Sequence, residues 1–254
     1  MNGAPSWLGA ALTGWFALSA LVFGALLKIT APYGRHTAAG WGPRLDARLG
    51  WLVMEAPAVL TVHWSFAKGH PFEAPSAWLF LTLWLVHYSF RAFIQPFLWR
   101  GRPTPMPWVI VALGALFNGL NGSLVGHGLF VWRGPLGDGW LSDPRCVLGV
   151  LLFVAGLAVN VHADEVLRRL RGPNESGYKV PHGGLYRYIS CPNYFGEIVE
   201  WWGFALCTWH PASLAFAVWT TANLAPRALG HHRWYRATFR DYPAGRRALV
   251  PGLF

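Results

Sequence analysis

The stretch PNYFGEIVEWWGFAL, residues 192–206, is apolar apart from two acids, Glu197 and Glu200. Three residues apart, they share one face of a helix. The hydrophobic continuation reads as membrane-buried, where an uncompensated charge costs several kcal/mol. Carboxylates in such a position need a partner, and the rest of the chain is read for what could face them.

The 254 residues are 54% hydrophobic and only 13% charged, and they include 16 Trp. Ordinary soluble domains are about 25% charged. Half that share with so much tryptophan indicates a polytopic membrane protein with an aromatic belt. The net charge of +10 brings no recognised nucleic-acid motif with it, so no nucleic-acid partner is expected. Cys146, Cys191 and Cys207 are isolated in sequence, which supports neither a disulfide framework nor a zinc site.

Apolar spans fall at about 7–29, 50–66, 76–98, 108–128, 145–166, 194–208 and 211–225. Several approach the roughly 20 residues that cross a bilayer. The last two are short and separated by His210-Pro211, so one broken helix and six crossings is the alternative. Seven crossings place seventeen Lys and Arg on one side and only Lys68, Arg133 and Arg145 on the other, with Arg91 inside a span. That bias puts the C-terminus in the cytoplasm and the N-terminus outside. Residues 2–27 carry no charge, and Lys28 follows the first apolar run instead of preceding it, unlike a cleavable signal peptide. The expectation is one all-α domain over residues 1–254, a polytopic membrane protein of seven transmembrane helices.

Polar groups recur within these spans. Glu55 is the only ionisable residue between Arg48 and His63. Intramembrane acids are functional candidates, and a carboxyl in its acid form donates a hydrogen bond. In VHYSFRAFIQPFLWRGRPTP, residues 86–105, Tyr88 and Arg91 point the same way, and a guanidinium at that depth needs an anionic partner. Asn160 and Asp164 share a helix face that Arg168 and Arg171 continue. A glycine-rich loop then leads to Asn193, Glu197 and Glu200, and the tail offers Arg227, His231, His232, Arg233 and Tyr235. Structural anchoring accounts for about half of the basic residues. Acids, amides, His and Tyr at one level suit instead a polyanionic, hydroxyl-rich ligand: arginines for phosphates, carboxylates and amides for ribose hydroxyls and a carboxamide. This implies a nucleotide entering from the cytoplasm, without a Rossmann GxGxxG or a P-loop. His231-His232 lacks companion ligands, so no metal is expected.

Five segments of the chain together resemble the steroid 5α-reductase family, the 3-oxo-5α-steroid 4-dehydrogenases. The segments are KITAPYGRHTA (28–38), HYSFRAFIQPFLWRGRP (87–103), PNYFGEIVEWWGFAL (192–206), HHRWY (231–235) and DYPAGRRALVPGLF (241–254). The C-terminal pattern is shared with sterol reductases and isoprenylcysteine methyltransferases, whereas APYGRHT, LVMEAP and HYSFR discriminate for the 5α-reductases. The resemblance implies seven helices, NADPH held among helices and cytoplasmic loops, and reduction of the Δ4 double bond of a 3-oxo steroid entering from the lipid bilayer. By motif position, Glu55 and Tyr88 would contact the 3-keto oxygen. Tyr33, Arg91, Arg102, Asn160, Asp164, Arg171, Tyr178, Asn193, Glu197, Glu200, Arg227, His231 and Tyr235 would line the cofactor site.

Three positions depart from the animal pattern: Met54 stands where Gln is familiar, Trp99 where Asn is, and Lys179 where Arg is common. They bear on steroid preference and one cofactor contact. High Ala, Gly and Trp with short loops is expected of a monomeric bacterial inner-membrane member; a eukaryotic one would occupy the endoplasmic reticulum. The alternatives are reduction of another sterol double bond, S-adenosylmethionine-dependent methyl transfer, and a sterol-binding scaffold without a nucleotide site.

Overall fold

The structure is a computed structural model that describes residues 4–29, 40–100, 103–134, 136–170, 172, 175 and 177–253. It is mostly helical. Helix α1 spans Leu8–Lys28 and α2 spans Ala47–Gly69; α3 (Pro75–Ser89) runs through a π-helical turn at Phe90–Ile94 into α4 (Gln95–Leu98). Helix α5 (Trp108–His127) ends in a second π-helical turn at Gly128–Trp132, followed by α6 (Pro144–Arg169), α7 (Pro192–Thr208) and α8 (Pro211–Thr238). Two-residue strands β1 (Arg44–Leu45) and β2 (Met106–Pro107) pair antiparallel and join the start of α2 to the start of α5.

Four segments, Leu8–Lys28, Pro75–Leu98, Trp108–Trp132 and Pro144–Arg169, are long and apolar enough to cross a membrane. Their outer faces carry exposed large side chains such as Leu21, Leu116 and Leu151, continued by Leu60 and Trp64 on α2. Apolar patches of this extent are covered in membrane proteins by lipid. Helix α7 has 17 residues, about 25 Å at 1.5 Å per residue, short of a full hydrocarbon core. Helices α2 and α8 reach the length, but α2 carries Arg48, Glu55 and Lys68 and α8 carries Arg227, Arg233 and Arg236.

Helix ends follow local chemistry. Asp46 caps α2, its Oδ1 accepting from the backbone nitrogens of Arg48 and Leu49. Trp209 turns left-handed with φ 46°, and His210 Nδ1 accepts from the Ala212 nitrogen at 3.2 Å. The His210-Pro211 junction therefore separates two helices. The last apolar span ends at Pro226 and Arg227, and the helix continues through Pro226 to Thr238. The tail then folds back, with Ser190 donating its backbone N–H to the Arg247 carbonyl at 2.8 Å and Arg247 donating to the Tyr188 carbonyl at 2.9 Å.

The core is aromatic. Trp84, Tyr88, Phe153, Trp201, Phe204 and Phe216 are all buried, with Trp201–Phe216 centroids 4.6 Å apart and Trp84–Trp201 5.3 Å apart. This cluster joins α3, α6, α7 and α8. Helices α6 and α7 lie antiparallel in backbone contact through Gly149, Gly156, Gly196 and Gly203. A Cβ on Gly156 would lie 2.4 Å from the Glu200 nitrogen, and one on Gly196 would lie 2.6 Å from the Asn160 nitrogen. Small residues at such spacing let membrane helices approach closely. That contact sets the separation of the side chains described next.

Candidate functional site

A cavity of about 660 Å³ opens among α2, α3, α4, α5, α6, α7 and α8, within the usual size range for small-molecule sites. One part is apolar, walled by Met54, Ile110, Leu113, Phe117, Phe216 and Trp219; the other is polar.

At the junction stands Arg91, in the π-helical turn. Its Nε donates to Glu55 Oε1 at 3.5 Å, its Nη1 lies 3.3 Å from Glu197 Oε2, and its guanidinium packs over Trp51 with 5.1 Å to the ring centroid. The buried cation is thus shared between an acid of α2 and one of α7, the pairing that a guanidinium at this depth requires. Glu55 is 6% exposed. Its Oε2 accepts from Asn118 Nδ2 at 3.3 Å, and the same amide donates to the Met54 carbonyl at 2.8 Å. Tyr88, one turn before Arg91, lines the same cavity and rests on Trp84 and Trp201.

A chain of amides and acids forms the polar wall. Gln95 Nε2 donates to Asp164 Oδ2, Asn193 Nδ2 donates to Asp164 Oδ1 at 3.0 Å, and Asn160 Nδ2 donates to the Asn193 carbonyl at 2.9 Å. Three helices are fastened to one carboxylate. Towards the C-terminal halves of α6 and α8 the wall holds Arg168, Tyr178, Asn223 and Arg227. Arg168 pairs with Glu165, and Arg227 lies over Tyr194 and donates to Asn223 Oδ1 at 3.1 Å.

Nine of the expected site residues therefore share one cavity, lined directly by Glu55, Tyr88, Arg91, Asn160, Asp164, Tyr178, Asn193, Glu197 and Arg227; a tenth, His231, stands behind its wall, its Nε2 3.1 Å from the hydroxyl of the lining residue Tyr194. Two others sit elsewhere. Glu200 is fully buried behind the wall, its Oε1 2.8 Å from His87 Nδ1. Three residues along a helix leave a 60° offset; that turns Glu197 to the cavity and Glu200 towards α3. Tyr235 is buried against the tail, stacked on Tyr242 at 5.2 Å. Tyr33, Arg102 and Arg171 lie outside the described residues.

Sequence reasoning missed Trp51, Gln95, Asn118, Tyr194 and Asn223. The available signal was an amide within an apolar span, which Asn118 and Asn223 both show. Of the departures, Met54 fills the slot over Gly114, where a Cβ would meet its Cγ at 2.2 Å. Trp99 stacks edge-on to Trp51, and its carbonyl accepts from Arg48 Nη2. Lys179 pairs with Glu175, holding that exposed carboxyl below its usual range. Among the described residues no three His, Cys, Asp or Glu side chains gather at metal-binding distance. The donor set fits a nucleotide: cations at the mouth, amides and carboxylates inside, an apolar chamber beyond.

Comparison with known proteins agrees in kind. The family model described as 3-oxo-5-alpha-steroid 4-dehydrogenase matches residues 104–254. A 3-oxo-5-alpha-steroid 4-dehydrogenase 1 of Bos taurus is 42% identical over 93% of this chain and 93% of its own length. A 3-oxo-5-alpha-steroid 4-dehydrogenase 2 of Homo sapiens is 40% identical over 92% and 93%. A steroid 5-alpha-reductase of Arabidopsis thaliana is 37% identical over 90% of both chains.

Proposed function

The chain belongs to the 3-oxo-5-alpha-steroid 4-dehydrogenase family, and from that premise we propose that it reduces the Δ4 double bond of 3-oxo-Δ4 steroids to 5α-reduced 3-oxosteroids, with NADPH as cofactor. The observation that carries this reading is the placement of Glu55 and Tyr88 on one cavity with Arg91 and the Asn160–Asp164–Asn193–Glu197 wall.

The polar wall would hold the cofactor: Asn160, Asp164, Asn193 and Glu197 would accept from and donate to its nicotinamide-ribose hydroxyls and carboxamide, and Arg227 with Arg168 would take its phosphates. NADPH supplies the hydride when bound. The protein's own part is electrostatic. Saturating a conjugated enone drives negative charge onto the ketone oxygen, and preorganised donors aimed there lower the barrier. Tyr88 donates its phenolic hydrogen, and Glu55 in its acid form donates a second. Asn118 and Arg91 fix the Glu55 carboxyl. C4 then takes a proton from the Tyr88 hydroxyl, which regains one from solvent on product release, or from a single water that this hydroxyl holds. The walls of Phe117, Phe216 and Trp219 exclude bulk solvent and receive the steroid skeleton.

The same reading gives seven crossings, with the N-terminus outside and the C-terminus cytoplasmic, supported by the seventeen-to-three distribution of basic residues. Steroid enters from lipid and cofactor from the cytoplasm. The test is NADPH oxidation by purified protein with a 3-oxo-Δ4 steroid such as testosterone or progesterone, with product stereochemistry determined. Turnover only with Δ7- or Δ14-sterols, or a thermal shift with S-adenosylmethionine and none with NADPH, would refute it.

A further inference from the structure

The three cysteines, unrelated in sequence, are not equivalent in space. Cys146, in the first turn of α6, and Cys207, in the last turn of α7, have their sulfurs 3.6 Å apart although 61 positions separate them. Both are buried, at 1% and 0% exposure. Cys191 lies at the other end of α7, packed with Ala225, Ala228, Ala248 and Leu249.

We propose that Cys146 and Cys207 form a disulfide that closes the α6–α7 pair on the non-cytoplasmic side of the membrane. The side rests on the topology proposed above, which places the start of α6 and the end of α7 outside and Cys191 at the cytoplasmic end. Disulfides form and persist in such oxidising compartments.

The backbone geometry suits the bond. The antiparallel register pairs Asn160 with Asn193 at one end and Cys146 with Cys207 at the other, each 14 positions along its helix, about 21 Å away. Between them, Gly149 holds the backbones in contact: a Cβ there would lie 2.4 Å from the Cys207 nitrogen. With the backbones in contact one turn from Cys146 and the sulfurs already 3.6 Å apart, the pair has only to close to the roughly 2 Å of an S–S bond.

The reaction is thiol–disulfide exchange with a dithiol-type oxidant in its disulfide form. One cysteine's thiolate attacks an oxidant sulfur, whose partner leaves as a thiolate. The second cysteine's thiolate then attacks the mixed disulfide and releases the other oxidant sulfur. The chain loses two S–H bonds and gains one S–S bond, and two electrons and two protons end on the oxidant as its dithiol. Because both sulfurs are buried in the folded protein, the exchange precedes the closing of α6 on α7. The closed loop contains Asn160, Asp164, Asn193 and Glu197, so the cross-link restrains the polar wall from its far end.

The test uses the full chain in cell membranes. Thiols are blocked with N-ethylmaleimide in denaturant, then reduced and labelled with a second maleimide, and the peptides are weighed. The expected result is first-label modification of Cys191 alone, with Cys146 and Cys207 taking only the second label. Reduction should lower the melting temperature by roughly 5–15 °C, and Cys146→Ser and Cys207→Ser variants should not fall further on reduction. First-label modification of Cys146 and Cys207 would overturn the proposal. A C-terminal fluorescent fusion reads the side separately. Cytoplasmic fluorescence with both thiols free refutes the disulfide and leaves the topology standing; a translocated C-terminus refutes the topology, and with it the side assigned to this bond.

Discussion

Replacing Gly196 by alanine tests whether the α6–α7 contact positions the polar wall. The added Cβ would lie 2.6 Å from both the Asn160 nitrogen and the Gly156 carbonyl oxygen, both backbone atoms with no rotamer to change. Ordinary contact begins at 3.4 Å, so the helices must part there by about 0.8 Å, a gap that forfeits a quarter to a half of the local dispersion energy. The Asn160 Nδ2 to Asn193 carbonyl bond, 2.9 Å and one turn away, would stretch to about 3.7 Å and cease to be a hydrogen bond. Overpacking costs about 1–3 kcal/mol and the lost bond about 1 kcal/mol. Together they lower the melting temperature by roughly 5–15 °C. Because Asn193 also holds Asp164, NADPH affinity should fall by about tenfold, or 1.4 kcal/mol, with the apolar chamber left intact. Differential scanning fluorimetry and an NADPH fluorescence titration in detergent read both effects. Gly230→Ala, with open space around its Cβ, serves as the control and should be neutral or slightly stabilising. If Gly196→Ala melts with the wild type and binds NADPH equally well, the close approach does not organise the site.

Glu55→Gln should retain NADPH binding while turnover drops by about 10²–10³, or roughly 3–4 kcal/mol of transition-state stabilisation; unchanged turnover would remove Glu55 from the chemistry. Tyr88→Phe keeps the ring packed on Trp84 and Trp201 and should show the same split between intact affinity and lost turnover in stopped-flow assays. Gly114→Ala pushes Met54 out of its slot and into the apolar chamber, so KM for bulky steroids should rise several-fold with little effect on NADPH binding. Asp143, at the N-terminus of α6, accepts from the Arg145 backbone and guanidinium, which hold its carboxyl down to about 2. Its stabilisation is therefore present above the ordinary aspartate value near 4 and lost as pH falls through about 2. Melting curves should show Asp143→Asn less stable than wild type at pH 6 and the difference closing below pH 4; a gap that persists at pH 2 would contradict the assignment.

What could be read from the sequence was what violates the expectations of an apolar span. Glu55, Tyr88 and Arg91 stand out in helices that otherwise hold hydrophobic side chains, and the structure places all three on one cavity. Spacing alone did not separate Glu197 from Glu200, because which of two nearly aligned residues meets a cavity depends on where the neighbouring helix sits. Here His87 of α3 takes Glu200. Gln95 stayed hidden because its orientation depends on the π-helical turn before it, and regular α-periodicity carries no trace of that turn. The length of α8 beyond its apolar span was not legible because Pro226 and Arg227 resemble a boundary, whereas the tail folded back on residues 188–191 packs against the continuing helix. Residues distant along the chain created that support.

The π-helical turn at Phe90–Ile94 makes the length of this segment a constraint in its own right. Winding five residues where an α-helix would use fewer offsets everything downstream. Deleting one residue of the turn after Arg91 would restore regular winding and swing Gln95 and the chain beyond by about 100°. Arg91 would stay between its two acids while Gln95 abandoned Asp164, uncoupling the Glu55 end of the cavity from the Asp164 end. Phe93 and Ile94 are half-exposed on the outer surface, so their identities are free to drift among apolar residues; the number of residues in the turn is not.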